Sequence, residues 1–248
     1  MKKILLLTWM IFLGGILWAN ESEKKAEDSY AAGNYKDAIE IYSNILAGGN
    51  ESAMLYYNLG NCYYKLGENT KAILNYERAL LLNPGDEMTR YNLKMANKAI
   101  VDKIEILPEF FLSRWYKGIR ASLSADQWGY VSVALFIFFL IMLALFIYSR
   151  SISLKKTGFL GGIIVLLFFI VTIIFASQQN RRITEREYAI IMTPSVTVKG
   201  APDDSGTSLF LIHEGLKVRV MEEVGEWYNI RLVDGNEGWV AKSDIEKI

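Results

Sequence analysis

The chain has 248 residues, enough for about one to two domains, and its 27 Lys and Arg offset 27 Asp and Glu. That balance excludes the basic excess of a typical nucleic-acid-binding protein, so no nucleic acid is expected among its partners. A single Cys and a single His exclude an intrachain disulfide and leave any Ser-His or Cys-His dyad dependent on His213, so no catalytic set, metal site or cofactor is expected.

The charges are unevenly spread. Residues 127–180 hold no acidic group and only Arg150, Lys155 and Lys156, whereas the segments on either side are mildly acidic. The pattern reads as a membrane protein with two water-compatible parts. The start, Met-Lys-Lys, the apolar residues 4–17 and then Trp18-Ala19-Asn20, predicts a secretory signal peptide over residues 1–19, with an uncleaved anchor as the alternative.

Residues 20–107 carry helical periodicity. From Ala53 the chain reads AMLYYNLGNCYYKLGENTKAILNYERALLLNPGD, with Tyr56, Leu59, Gly60, Tyr63, Ala72, Tyr76 and Ala79 at helical spacing. Small Gly60, Ala72 and Ala79 allow two helices to approach closely. Gly67 separates the helices, and Pro84 cannot continue the second one. Gly33, Ala38, Tyr42 and Ile45 repeat the pattern 34 residues earlier. The segment resembles tetratricopeptide repeats: two repeats, with 88–102 similar to a terminal capping helix in which Lys94 replaces the small residue.

That resemblance implies an all-α domain whose concave face binds peptides. The facing residues would be Tyr57, Asn58, Asn61, Tyr64 and Lys65 from the second repeat, with Tyr91 and Asn92 from the cap. Paired Asn side chains can hydrogen-bond an extended backbone, and Lys65 can hold a carboxylate; a solvated helix face is the alternative. Cys62 reads as a small core residue.

Residues 108–126 form an amphipathic juxtamembrane linker. Phe111, Trp115, Ile119 and Leu123 recur every fourth residue, with Arg114, Lys117 and Arg120 elsewhere, which fits a helix lying in the lipid interface or one packed on the repeats. Two apolar runs follow at 127–149 and 157–179, each long enough for a hydrocarbon core of about 30 Å. Ser124-Ala-Asp-Gln127 has the pattern of a capping box. The loop 150–156 is basic, as expected on the cytoplasmic side. Gly158 and Gly162 form a GxxxG pair, either a helix-packing face or a chance spacing.

Residues 180–248 make the last domain, and from 186 the chain changes period. Short β-rich runs at 188–192, 196–198, 209–212, 217–221, 227–232 and 238–240 predict six strands, with a hairpin signal at Val233-Asp-Gly-Asn236. The strings SVTVKGAPDDSGT, HEGLKVRV and GEWYNIRLVDGNEGWV resemble the bacterial SH3-like barrel, a fold that implies binding of peptides or cell-wall stems. Candidate contacts are Trp227, Tyr228, Asp234, Glu237 and Trp239; the alternative is that the Trp residues pack core and rim. His213 reads as a strand-end residue, capping or solvated.

The expected architecture is therefore multidomain: an all-α tetratricopeptide repeat domain, a two-helix transmembrane hairpin and an all-β SH3-like barrel. This order resembles the BatE-type proteins of the Bacteroides aerotolerance (Bat) operons. The resemblance implies a membrane-bound accessory to Bat proteins with von Willebrand factor A domains. The expected role is a non-enzymatic scaffold in the cytoplasmic (inner) membrane, multi-pass, with both soluble domains periplasmic. A wall-binding subunit for a peptidoglycan-active enzyme is the alternative.

Overall fold

The computed structural model describes residues 21–103 and 110–248. The expected signal peptide lies outside the described residues. The chain divides into two compact units: residues 21–81, 86–103 and 187–248 form one, and residues 82–85 and 110–186 the other.

The first unit begins with five helices: α1 (residues 21–31), α2 (Tyr35–Ala47), α3 (Ala53–Lys65), α4 (Asn69–Leu82) and α5 (Glu87–Ala96). Their boundaries follow from local chemistry. Ser52 caps α3 by accepting a hydrogen bond from the Leu55 amide at 3.1 Å, and Asp86 caps α5 by accepting one from the Met88 amide at 3.0 Å. Gly67 turns the chain between α3 and α4 at φ +79°, a conformation glycine adopts without strain. Ala26, Ala38, Tyr42, Ile45, Leu55, Leu59 and Cys62 make the first apolar cluster. Gly60 lies under the Tyr76 ring, where an added Cβ would come within 2.7 Å of Cδ1. The close approach expected of this small residue is thus made against a buried tyrosine.

The rest of this unit is an antiparallel sheet of seven strands: β1 (Tyr188–Ile191), β2 (Ser195–Lys199), β3 (Ser208–His213), β4 (Lys217–Val224), β5 (Trp227–Arg231), β6 (Glu237–Ala241) and β7 (Ile245–Lys247). Their order is β3-β2-β6-β5-β4-β1-β7. Val196, Val198, Ile212, Val218, Ile230 and Val240 fill its core. The expected six strands become seven. The sequence around β7 alternates apolar and charged residues too briefly to register, but Ile245 pairs with Ile191 and extends the sheet beyond β1.

The second unit holds α6 (Phe111–Arg120), α7 (Ala125–Tyr148) and α8 (Ile152–Glu185). Ser124 and Gln127 form the reciprocal capping box that starts α7. Helices α7 and α8 are long and apolar enough to cross a membrane, and α8 runs past the apolar run 157–179 at both ends. They pack on each other through small residues. A Cβ on Gly158 would lie 2.7 Å from the Met142 carbonyl oxygen and 2.8 Å from the Phe146 nitrogen, whereas one on Gly162 would meet Met142 Cβ at an ordinary 3.6 Å. Farther along, the Ser132 and Thr172 hydroxyls hydrogen-bond at 3.0 Å.

Candidate functional site

The residues expected on the repeat face do not stand as independent polar groups. Asn61 Oδ1 accepts from the Tyr76 hydroxyl at 2.8 Å and from Asn92 Nδ2 at 2.9 Å, and Asn92 Nδ2 also reaches the Tyr57 hydroxyl at 3.3 Å. Asn58 hydrogen-bonds Tyr42. The Asn side chains are therefore held by tyrosines of neighbouring helices, which fixes their rotamers. This arrangement leaves the Asn61 amide nitrogen and the Asn92 amide oxygen as a donor and an acceptor, the pair an extended peptide backbone requires. Tyr64, Lys65 and Tyr91 lie exposed. Tyr57 packs on Tyr76 with centroids 6.2 Å apart.

Burial shifts the titrating groups beneath this face toward their neutral forms. Desolvation pushes the Cys62 thiol up to about 11 and the Tyr42 hydroxyl up to about 12, and it raises Tyr76 further. Nucleophilic thiol chemistry needs the thiolate. A fully buried Cys62 with a raised pKa is a packing residue.

In the barrel, the candidate residues separate by strand alternation. Trp227 pairs with Ala241, Asn229 with Trp239 and Arg231 with Glu237. Trp227, Trp239 and Glu237 therefore share one face of β5 and β6, opposite the face of the core residues Ile230 and Val240. Arg231 Nε meets Glu237 at 2.5 Å on that same face. Tyr228 takes the core side, under the Lys242 and Lys247 ammonium groups at 5.3 and 4.8 Å from its ring. Asp234 belongs to the turn, where its carboxylate accepts from the Asn236 amide at 3.0 Å. Three of the five residues thus form one surface, one braces the barrel and one shapes a hairpin.

Sequence reasoning missed the junction between repeats and barrel. Ala72, Ile73, Leu74, Tyr76, Leu93 and Ala96 form one buried cluster with Ile190 and Ile248 of the barrel. Polar contacts surround it. Lys217 Nζ meets Glu77 at 2.5 Å, and Arg78 meets Glu246 at 2.8 Å while donating to the Lys247 carbonyl at 2.7 Å. The Thr70 hydroxyl donates to Glu214 at 2.7 Å. His213 is neither a simple cap nor solvated. Its backbone amide donates to Asp102 at 2.6 Å, and its Nδ1 lies 2.9 Å from the other carboxylate oxygen. Beside it, Gly215 at φ +84° lies against Ile100 and Ile73, where a Cβ would run into the Ile100 side chain.

Comparison with known proteins agrees with this division. Residues 53–86 match the family model of the tetratricopeptide repeat, and residues 194–246 match that of the bacterial SH3 domain. Sperm-associated antigen 1 of Rattus norvegicus is 34% identical over 67 residues, covering 27% of this chain and 8% of that protein. Its Mus musculus counterpart is 34% identical over 67 residues, covering 27% of this chain and 7% of that protein. The chain thus spans less than a tenth of either relative's length. Both matched modules are non-catalytic interaction modules, joined here to two helices fit to cross a membrane.

Proposed function

We propose that this protein is a non-enzymatic scaffold of the cytoplasmic membrane, presenting its repeat–barrel unit to partners on the periplasmic side. The shared core of repeats and barrel carries the reading. The hairpin lies between these two parts in sequence, so parts that fold against each other belong on one side of the membrane, as two spans require. The signal-like start favours the outer side. Protease added to spheroplasts is expected to digest the repeats and the barrel together and to spare the hairpin. Protection of either part sinks the topology.

The partner surface of this scaffold is the repeat face. There Tyr91 and Tyr64 flank the donor and acceptor left on Asn61 and Asn92, a geometry suited to an extended peptide. By resemblance to BatE-type proteins, the partners are membrane-bound Bat proteins with von Willebrand factor A domains, in a complex serving aerotolerance or envelope stress. A photo-crosslinking residue at Tyr91, activated in native membranes, is expected to capture such a protein. Capture of the same protein from Trp227 but not from Tyr91 would move the site to the barrel.

A second reading has its own observation. Trp227 and Trp239 share one barrel face beside Glu237 and Arg231, and flat aromatic surfaces of this kind stack on sugar rings. The full chain in detergent is therefore tested against purified cell wall. Retention lost on Trp239→Ala, with partner crosslinking at Tyr91 intact, would favour wall targeting.

A further inference from the structure

Helix α6 has no buried residue, and Phe111 and Trp115 are each 67% exposed, with Phe110 and Leu112 exposed beside them. These side chains are not scattered. At 100° per residue, Phe111, Trp115, Ile119, Leu112 and Tyr116 fall in one arc of about 140°, and Arg120, Lys117 and Arg114 fill the arc opposite. No acidic residue occurs between Phe110 and Ser124. So large an apolar stripe would be unstable facing water.

Its position is fixed by contacts within the unit. The Tyr116 hydroxyl donates to Gln178 at 2.9 Å, and its ring meets Phe175 edge-on at 5.4 Å. Trp128 meets the same Phe175 at 5.0 Å while its indole N–H donates to the Arg120 carbonyl at 3.0 Å. Phe175 and Trp128 mark the levels at which α8 and α7 change from apolar to polar sequence: Ser177-Gln-Gln-Asn180 follows one, and the uncharged run from Gly129 follows the other. Helix α6 is therefore pinned at the rim of the apolar band, where aromatic residues sit between hydrocarbon and headgroups.

We infer that α6 is a membrane-surface helix: Phe111, Leu112 and Trp115 insert into the leaflet beside the hairpin, and the exposed Arg114 and Lys117 face anionic lipid headgroups. The occupant is lipid because Tyr116 joins the stripe to Phe175 at the end of the apolar run of α8 and because the opposite side carries cations and no acidic group, the complement of an anionic surface.

The test uses the full-length protein with Cys62→Ala, reconstituted in vesicles of phosphatidylethanolamine and phosphatidylglycerol. An environment-sensitive fluorophore is attached at Phe111→Cys, Leu112→Cys or Lys117→Cys, and at Phe138→Cys in mid-span as the control for insertion. With the control quenched by a deep lipid spin label, the labels at positions 111 and 112 are expected to emit at shorter wavelength, to be quenched by a shallow spin label and to resist iodide. The label at 117 is expected to be accessible to iodide. Replacing phosphatidylglycerol by phosphatidylcholine should weaken the shallow quenching, and no change would overturn the headgroup assignment. Equal iodide access at 111, 112 and 117 would overturn insertion. Resistance to iodide without spin-label quenching would give the face to a second copy and overturn it too. An unquenched control would instead refute the membrane-spanning reading itself.

Discussion

Each of this molecule's two units has a main contact between its elements, and the two contacts use opposite chemistries. The junction of repeats and barrel is an apolar centre of isoleucines, leucines, alanines and a tyrosine ringed by Lys217–Glu77, Arg78–Glu246, Thr70–Glu214 and Asp102–His213. The pairing of α7 and α8 has no ion pair among the described residues; Gly158 touches backbone, and one Ser–Thr hydrogen bond crosses it. Solvent explains the contrast. In water, burial of apolar surface drives association, and a polar ring sets register and excludes wrong partners. In lipid, apolar side chains gain nothing by leaving the tails, so close packing at small residues and scarce hydrogen bonds must serve.

The contrast is tested most severely at Ile190. This residue sits on β1 yet is fully buried in the cluster shared with the repeats. Ile190→Ala is expected to destabilise the unit by about 2–5 kcal/mol, the usual cost of emptying a packed isoleucine site. The repeat and barrel signals should shift together when thermal unfolding is followed in detergent. Separate transitions, with only the barrel lowered, would break the claim of a common core.

Cys62 sharpens the same point on the repeat side. With its pKa raised from 9.0 to about 11, the thiol holds about a hundredfold less thiolate below pH 9 than an unperturbed group. Alkylation of the native protein at pH 8 should be slower by at least that factor than alkylation in denaturant. Since the folded state favours the protonated thiol, its contribution to stability is complete below pH 9 and is lost as pH rises toward 11. Tyr42, raised to about 12, extends that loss upward. Rapid native alkylation would show that the cluster around Cys62 opens readily.

Gly60→Leu comes next. Its side chain would enter the space of the Tyr76 ring, which is buried and tethered through its hydroxyl to Asn61. Overpacking should cost about 1–3 kcal/mol, read as a lower melting temperature with the hairpin unaffected. An unchanged melt would mean that the two helices do not depend on this contact.

Gly60 also illustrates what the sequence makes legible. Its spacing to Ala72 and Tyr76 reads directly as two close helices, and Ser124 with Gln127 reads as a helix start, because local periodicity and caps need only neighbouring residues. The partners of the candidate Asn residues were hidden, since Tyr42 and Tyr76 read as core and Tyr57 read as a separate contact on the face. The junction was hidden more deeply. Lys217 and Glu77 stand 140 positions apart, and His213 and Asp102 stand 111 apart. Each of these residues reads as ordinary surface of its own module. Ile190 fits a strand pattern equally well whether its neighbour is the barrel or the repeats. Trp227 and Tyr228 stand side by side in sequence, yet the pleat sends them to opposite faces. Register decides that, and composition does not.

The smallest effect is expected inside the hairpin. Ser132→Ala removes the hydroxyl that reaches Thr172, but Thr172 keeps its bond to the Phe169 carbonyl at 2.8 Å. No buried donor is stranded, and hydroxyl groups in lipid find partners before the helices pair as well as after. The loss should therefore be about 0.6 kcal/mol, the average for such bonds between membrane helices. Reversible unfolding in bicelles can resolve it, with Gly158→Leu as the comparator because it forces a side chain against the Met142 and Phe146 backbone. A hairpin held by packing ranks Gly158→Leu well above Ser132→Ala. The reverse ranking would mean that a polar contact holds these helices as ion pairs hold the junction, and the division of chemistry by solvent would fail for this protein.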